Sequence, residues 1–153
     1  MLKCLELAEK EYERSNGLYP MFHSTHEGYA VIKEEVDELW DYIKTDKQIY
    51  PSPEQRAEVI QIMAMCLKMD KSFDDQPNFH LFELAEESFD TLGVDYIFHS
   101  THEGYAKIKQ MVDRLWDKIR EKSIPILNMD QRYILVLIMA MCIKFLESFK
   151  LDD

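Results

Sequence analysis

Apolar residues recur along the chain every three to four positions, in stretches separated by short polar segments. The stretch from residue 25 to about residue 44 carries an apolar stripe made up of Ile32, Val36, Leu39, Trp40 and Ile43. Charged residues lie on the opposite side of that stretch, and no part of the chain alternates apolar and polar residues as half-buried strands do. The pattern therefore predicts an all-α fold.

Six helices are predicted, separated by polar or proline-containing segments. Their expected bounds are about 2–14, 25–44, 54–72, 79–91, 101–120 and 129–149. Asn16 and Gly17, followed by Pro20, are expected to break the chain after the first helix. Ser24 and Glu27 have the spacing of an N-terminal capping box, in which each side chain accepts a hydrogen bond from the backbone N–H of the other residue.

The chain contains a tandem duplication. Residues 22–30 and 98–106 share the nine letters FHSTHEGYA, and residues 21–44 match residues 97–120 at 17 of 24 positions, with a constant offset of 76. We therefore predict a single domain, 1–153, built from repeat one (1–76) and repeat two (77–153) with three helices each. The expected architecture is a helical bundle in which the two repeats pack as a single-chain pseudo-dimer about a pseudo-twofold axis.

Composition and charge narrow the class of protein. The chain is 46% apolar and 31% charged, as in globular proteins, and its net charge is −11. Without a basic stripe, this charge argues against a nucleic-acid partner. No signal peptide is visible, and the longest apolar run, 133–143, is too short to cross a membrane. Three cysteines without a Cys-x-x-Cys pair are expected to be core thiols, and the predicted location is cytoplasmic.

The candidate chemistry lies in the first repeat. Glu34, Glu35 and Glu38 are on the second predicted helix, and the last two project from one side of it. Glu58 and Gln61 have helical spacing on the third helix, and they can face the first group if the two helices are antiparallel. Such a set of oxygen ligands suits Mg²⁺ or Mn²⁺, which binds the phosphates of a nucleotide. The alternative is an ordinary solvated acidic face.

Residues 26–30 (HEGYA) and 34–40 (EEVDELW) resemble the all-α nucleotide pyrophosphohydrolases of the MazG-like superfamily. The motif of that family is Glu-x-x-Glu on one helix and Glu-x-x-Asp on the next. Glu35 and Glu38 match its first part, and Glu58 matches the start of its second part after a gap of 19 residues. Gln61 stands where the family has Asp, which weakens the expected site.

The resemblance implies a helical and usually oligomeric fold that cleaves a nucleoside triphosphate to monophosphate and pyrophosphate with Mg²⁺. On this basis the expected metal ligands are Glu35, Glu38, Glu58 and Gln61. The expected catalytic residues are Glu34, Glu35 and Glu38.

The second repeat lacks every one of these ligand candidates. At the offset of 76, the positions of Glu34, Glu35, Glu38, Glu58 and Gln61 are occupied by Gln110, Met111, Arg114, Ile134 and Leu137. The second repeat cannot hold a cation in this way. It can bury its apolar replacements as core, or it can present Lys107, Arg114 and Lys118 to an anion.

Four histidines stand at the starts of the two duplicated helices: His23, His26, His99 and His102. Because a helix N-terminus favours anions, they are candidates for contact with a ligand in a cleft between the repeats, together with Lys107 and Arg114. Helix capping and packing is the competing interpretation.

Three functions remain open from the sequence. The chain is a nucleotide pyrophosphohydrolase with one site in repeat one, or a degenerate binding protein that sequesters a nucleotide or nucleotide-derived signal between the repeats. The third hypothesis is a structural module, in which the apolar last helix forms a homo-oligomer interface.

Overall fold

A computed structural model describes residues 1–121 and 126–149 of the chain. Within these residues there are six helices and no strand, which confirms the predicted all-α fold. The helices are α1 (Lys3–Leu18), α2 (Thr25–Thr45), α3 (Pro53–Ser72), α4 (Leu81–Leu92), α5 (Thr101–Glu121) and α6 (Met129–Ser148). The predicted second repeat, 77–153, also includes residues 122–125 and 150–153, which lie outside the described part.

The start of α2 is capped by its own side chains. The Ser24 hydroxyl accepts a hydrogen bond from the backbone N–H of Glu27 at 3.1 Å, as the sequence predicts. The Glu27 carboxylate reaches one residue further back than a capping box requires, and it accepts from the N–H of His23 at 3.5 Å. The same two bonds recur at α5 between Ser100, His99 and Glu103, so the shared motif fixes where both helices begin.

The prediction that Asn16 and Gly17 break the first helix was wrong. Helix α1 continues to Leu18, and the N–H of Tyr19 still donates to Ser15 O at 2.8 Å. A glycine inside a helix costs only about 1 kcal/mol relative to alanine, which is too little to end a helix by itself. At the equivalent Gly93 the chain does turn: α4 ends at Leu92, and Gly93 has φ of 80°.

Helices α2 and α3 are antiparallel neighbours. At one end, the N–H of Phe22 donates to Ser72 Oγ at 3.0 Å, which joins the start of α2 to the last residue of α3. At the other end, Gln55 Nε2 donates to Asp46 Oδ2 at 2.6 Å, which joins the start of α3 to the C-cap of α2. The two acidic stretches of the first half therefore lie on facing helices.

Helices α5 and α6 pair in the same way, with the N–H of Phe98 donating to Ser148 Oγ at 3.0 Å. Contacts of α2 with α5 and of α3 with α6 close these two pairs into a ring of four helices. Helix α1 packs on α3 and helix α4 packs on α6, outside the ring. The candidate site thus lies among three helices of the first half.

The core fills the space between the helices, and α6 contributes most to it. Its buried residues extend almost continuously from Gln131 to Leu146, because α3, α4 and α5 all pack against it. The apolar character of this helix is therefore accounted for within the chain and does not require a second copy. The three cysteines are buried and free, as expected. No helix among the described residues is long and apolar enough to cross a membrane.

Aromatic contacts join α2 to α5 across the two halves. Each helix places a tyrosine flat against the tryptophan of the other, and a histidine edge-on to the same ring. The pairs are Tyr29–Trp116 and Tyr105–Trp40, both with 4.9 Å between ring centroids, and His26–Trp116 and His102–Trp40, at 5.7 and 5.6 Å. The tryptophans, predicted to be core, hold the two halves together.

Arginines join α3 to α6. The guanidinium of Arg132, which is 1% exposed, forms an ion pair with Asp70 and donates to the backbone carbonyl of Phe73. The equivalent arginine of the first half, Arg56, donates to the carbonyl of Phe149 at 2.5 Å. Each half therefore bonds the residue that caps the last helix of the other half.

Candidate functional site

Three glutamates of the first half converge. One carboxylate oxygen from each of Glu35, Glu38 and Glu58 lies within 4.8 Å of the other two. Glu35 and Glu38 are about one turn apart on α2, and the antiparallel packing of α3 brings Glu58 opposite them. The structure therefore brings together the three acidic residues that the helical spacing singled out.

The glutamates line a cavity of about 590 Å³, within the size range of small-molecule sites. Every lining residue belongs to the first half, between Arg14 and Lys68, so the cavity is not a cleft between the halves. Glu34 and Gln61 also line it. Its ionisable residues are the acidic Glu27, Glu34, Glu35, Glu38 and Glu58, the basic Arg14 and Lys68, and the phenol Tyr19.

The carboxyl groups of Glu35 and Glu58 are strongly perturbed. Burial raises the pKa of Glu35 from 4.5 to about 8, and a hydrogen bond to Glu58 and the charges of Glu58, Glu38 and Glu34 add to the shift. The pKa of Glu58 is also raised, again mainly by burial. Without a cation the pair therefore holds a proton at neutral pH, because the two carboxylates cannot both be ionised at low cost.

One carboxylate oxygen of Glu58 has no hydrogen-bond donor among the described residues. Its Oε2 atom is buried, and no donor group in the described part of the chain offers it a hydrogen bond. A proton shared with Glu35 can satisfy this oxygen, and so can a bound ion. A set of carboxylate oxygens is the donor set that Mg²⁺ and Mn²⁺ prefer, so the residues present fit such an ion.

Gln61, the fourth expected ligand, is held from the side of α1. Its Nε2 donates to Glu11 Oε1 at 2.6 Å, and Arg14 Nη2 donates to the same oxygen at 2.5 Å. The hydrogen bond from Arg14, with that from Gln61, holds the pKa of Glu11 below its usual value. Gln61 thus has a firm partner that an aspartate could not bond in this way, since an aspartate has no N–H group to donate.

Sequence reasoning missed Glu11 and Arg14, because nothing in the periodicity indicates that α1 lies parallel to α3. It also missed Lys68, which is 3% exposed and lies on the cavity wall. A lysine inside a nearly continuous apolar run was the signal available. The same signal recurs at Lys144, which is 4% exposed.

The other predicted binding residues lie outside the cavity. His23, His26, His99 and His102 are exposed at the starts of α2 and α5, and two of them contact tryptophans as described above. Lys107 is half-buried on α5, and Arg114 is exposed with its Nη1 3.6 Å from Met111 Sδ. Their contact with a ligand stays a prediction.

Three of the five equivalent positions of the second half are filled by apolar side chains. Ile134 is buried, Leu137 is half-buried, and Met111 packs against the core. Lys118, offered as an anion contact, is exposed and pairs with Glu121 at 3.8 Å. Of the residues that the structure describes, only the first-half glutamates form a group of three potential metal ligands.

In comparisons with known proteins, no protein-family model, curated protein or solved structure matches the chain.

Proposed function

We propose that the chain is a nucleotide pyrophosphohydrolase of the MazG-like kind, with a single site in its first half. The proposed reaction is the Mg²⁺- or Mn²⁺-dependent hydrolysis of a nucleoside triphosphate to monophosphate and pyrophosphate. One observation carries the proposal: carboxylate oxygens of Glu35, Glu38 and Glu58 converge within 4.8 Å. They do so in a cavity large enough for a nucleotide, and one buried oxygen of Glu58 there lacks a donor.

In this proposal Glu35, Glu38 and Glu58 hold the ion, with the amide oxygen of Gln61 as a weaker fourth ligand. The ion, when bound, neutralises phosphate charge and lowers the pKa of water. Glu34 is exposed and lines the same cavity, so it can accept a proton from the attacking water. Glu35 would have to release its proton for its oxygens to hold the ion, because a ligating carboxylate must be deprotonated.

We further propose that the two halves form a single-chain pseudo-dimer about a pseudo-twofold axis, in which the second half acts as a scaffold. Support comes from contacts that recur at the offset of 76, such as Tyr29 on Trp116 and Tyr105 on Trp40. The arginines of α3 and α6 bond the opposite half in the same reciprocal manner. Apolar residues stand at the positions of Glu35 and Glu58 in the second half, so the acidic cluster is not repeated there.

A matched pair of variants tests the cluster. Glu38→Gln removes one carboxylate from the cavity. Asp37→Asn removes one from the preceding position of α2, where Asp37 pairs with Lys33 at 2.8 Å. We expect Glu38→Gln to weaken Mn²⁺ binding, measured by titration calorimetry, by about a hundredfold or more. Pyrophosphate release from a panel of nucleoside triphosphates should disappear with it.

Asp37→Asn should behave like the wild type in both assays, because it makes the same charge change outside the cavity. An equal loss of Mn²⁺ affinity in the two variants would mean that only the net charge of the protein matters, and it would contradict the proposed cation site. A wild-type protein that releases no pyrophosphate from any nucleotide, with either cation, would contradict hydrolysis.

A second candidate is a binding protein that sequesters a nucleotide without turning it over. The observation that favours it is the amide of Gln61, which stands where the resembling family has a carboxylate and is committed to Glu11 at 2.6 Å. Nucleotides would then raise the melting temperature without yielding product. In that case we expect Gln61→Asp to tighten Mn²⁺ binding and to produce measurable turnover, since it supplies the missing charged ligand.

A further inference from the structure

Two lysines occupy equivalent positions in the two halves and are both buried, but their ammonium groups are satisfied differently. Lys144 Nζ donates to the carbonyl of Gly93 at 2.9 Å. Lys68 Nζ has one hydrogen bond, to Ser15 Oγ at 3.5 Å, which is longer than the usual range and therefore weak. An ammonium group has three N–H donors, so Lys68 retains hydrogen-bonding capacity that the described chain does not use.

The difference follows from the glycine that precedes each site. Gly93 ends α4 with a positive φ, and its carbonyl receives the ammonium of Lys144. The equivalent Gly17 lies inside α1, which continues to Leu18. In the first half, therefore, no carbonyl takes the place of the Gly93 carbonyl beside Lys68.

The side chains that surround Lys68 belong to the cavity wall. Lys68 is 3% exposed, and its Nζ lies 5.2 Å from the ring centroid of Phe22 and 5.9 Å from that of Tyr19. Both rings and Ser15 line the cavity, as Lys68 itself does. The ammonium group contacts two ring faces and one distant hydroxyl, and the charge of Glu27 on the same cavity wall favours its charged form. None of the hydrogen bonds in the described part of the chain joins Lys68 to a carboxylate, so the buried charge is compensated only in part.

We propose that Lys68 is an anion-binding residue and that the cavity takes a ligand with at least two phosphoryl groups, one at Lys68 and another at the carboxylate cluster. The metal end of this arrangement rests on the proposed function, whereas the Lys68 end rests on the buried ammonium alone. An oxyanion supplies the strong acceptors that the ammonium lacks. Burial lowers the pKa of Lys68, and a bound oxyanion would favour its charged form.

The arrangement also accounts for the polarity of the cavity. Five glutamates would repel a ligand phosphate unless a cation covers it, so the metal-free cavity should bind phosphates poorly. With the cation in place, Lys68 supplies the second positive contact. The ligand class in this proposal is therefore a diphosphate or triphosphate, which offers one phosphoryl group to each of the two contacts.

Inorganic pyrophosphate is the probe for this inference, since it carries two phosphoryl groups and nothing else. Its Kd is measured by calorimetry with saturating Mg²⁺ and, separately, with EDTA, for the wild type, Lys68→Met and Lys144→Met. We expect Lys68→Met to raise the Kd with Mg²⁺ by about tenfold or more, the loss typical of a charge-assisted hydrogen bond. Lys144→Met should stay within about twofold of the wild type, because the ammonium it removes is bonded inside the fold.

An equal Kd for Lys68→Met and the wild type would overturn the inference, and so would a wild type that binds no pyrophosphate in either condition. If Lys68→Met fails to fold, the Cε–Hε NMR signals of Lys68 in the wild type decide. They should shift during the pyrophosphate titration while those of Lys144 stay in place, and unmoved Lys68 signals at saturation would overturn the inference. Pyrophosphate binding through Lys68 without hydrolysis of any nucleotide would defeat the proposed function and leave this subsite intact.

Discussion

Glu35 and Glu58 form a carboxyl pair at two positions that the second half fills with Met111 and Ile134. Two partly buried acids in contact are costly unless a proton or a cation lies between them. The apolar pair removes that cost and adds buried surface. At the scale of single residues, the first half thus carries a local strain that its duplicate lacks, and that strain can be measured through pH.

The free energy of unfolding of the metal-free protein should fall as pH rises between about 4.5 and about 8. In this window the folded Glu35 keeps a proton that it loses in the unfolded chain, because its pKa is raised from 4.5 to about 8. The unfolded state therefore binds fewer protons, and a higher pH favours it. Denaturant unfolding in EDTA at a series of pH values measures the slope.

Glu35→Gln is the control for this prediction, since it keeps the shape of the side chain and removes the proton. Its free energy of unfolding should fall less steeply with pH. The stability of the variant relative to the wild type should therefore increase as pH approaches 8. Parallel curves for the two proteins would contradict the raised pKa. Saturating Mg²⁺ should stabilise the wild type most above that pH, where the carboxylates no longer compete with a proton.

At the scale of helices, the shared motif sets how closely each pair of long helices packs. The glycine of HEGYA lies where α2 meets α3 and where α5 meets α6. A Cβ atom on Gly28 would lie 3.1 Å from the flexible side chain of Met69. On Gly104 it would lie 2.4 Å from the ring of Phe145, which cannot bend away in the same manner. The two halves therefore tolerate a methyl group differently at equivalent positions.

Gly104→Ala should destabilise the protein by about 1–3 kcal/mol, because the ring of Phe145 must move within a packed core. Gly28→Ala should be nearly neutral, since the higher helix propensity of alanine offsets the small displacement of Met69. Thermal and denaturant unfolding of both variants measures the difference. Equal effects would show that the two contacts are equivalent in solution.

Helix positions were largely predictable from sequence, because the 3.6-residue spacing of apolar side chains and the Ser24 cap are local signals. The convergence of Glu35 with Glu58 was predictable for the same reason, once the short loop made α2 and α3 antiparallel. Glu11 and Lys68 were not, because their roles depend on how α1 packs on α3. The error at Gly17 has a different origin: a glycine costs a helix only about 1 kcal/mol relative to alanine, so it is a weak stop signal.

On the scale of the whole molecule, two kinds of reciprocal contact join the halves: rings between α2 and α5, and arginines between α3 and α6. The arginine contacts are unequal. Arg132 is fully buried with Asp70 and also pairs with Asp75 at 2.6 Å, whereas Arg56 is half-buried and donates to a neutral carbonyl. Most of the polar stabilisation between α3 and α6 should therefore come from Arg132.

Arg132→Met should lower the free energy of unfolding by about 3–5 kcal/mol, because it leaves Asp70 buried without its positive partner. Arg56→Met should cost about 1 kcal/mol, the usual worth of one hydrogen bond. The double variant Arg132→Met/Asp70→Asn should recover part of the loss, since neither charge then remains buried. Denaturant unfolding measures all three, and an equal loss in the two arginine variants would contradict the unequal roles.

The apolar side chain of Ile134 opposite the acid of Glu58 has a consequence for how such a protein can change. Two separate copies of one polypeptide carry the same residue at every position, so an assembly of identical subunits cannot hold an acid on one side and an isoleucine on the other. Linking both copies in one gene removes that constraint. One copy is then free to specialise in chemistry while its twin specialises in rigidity.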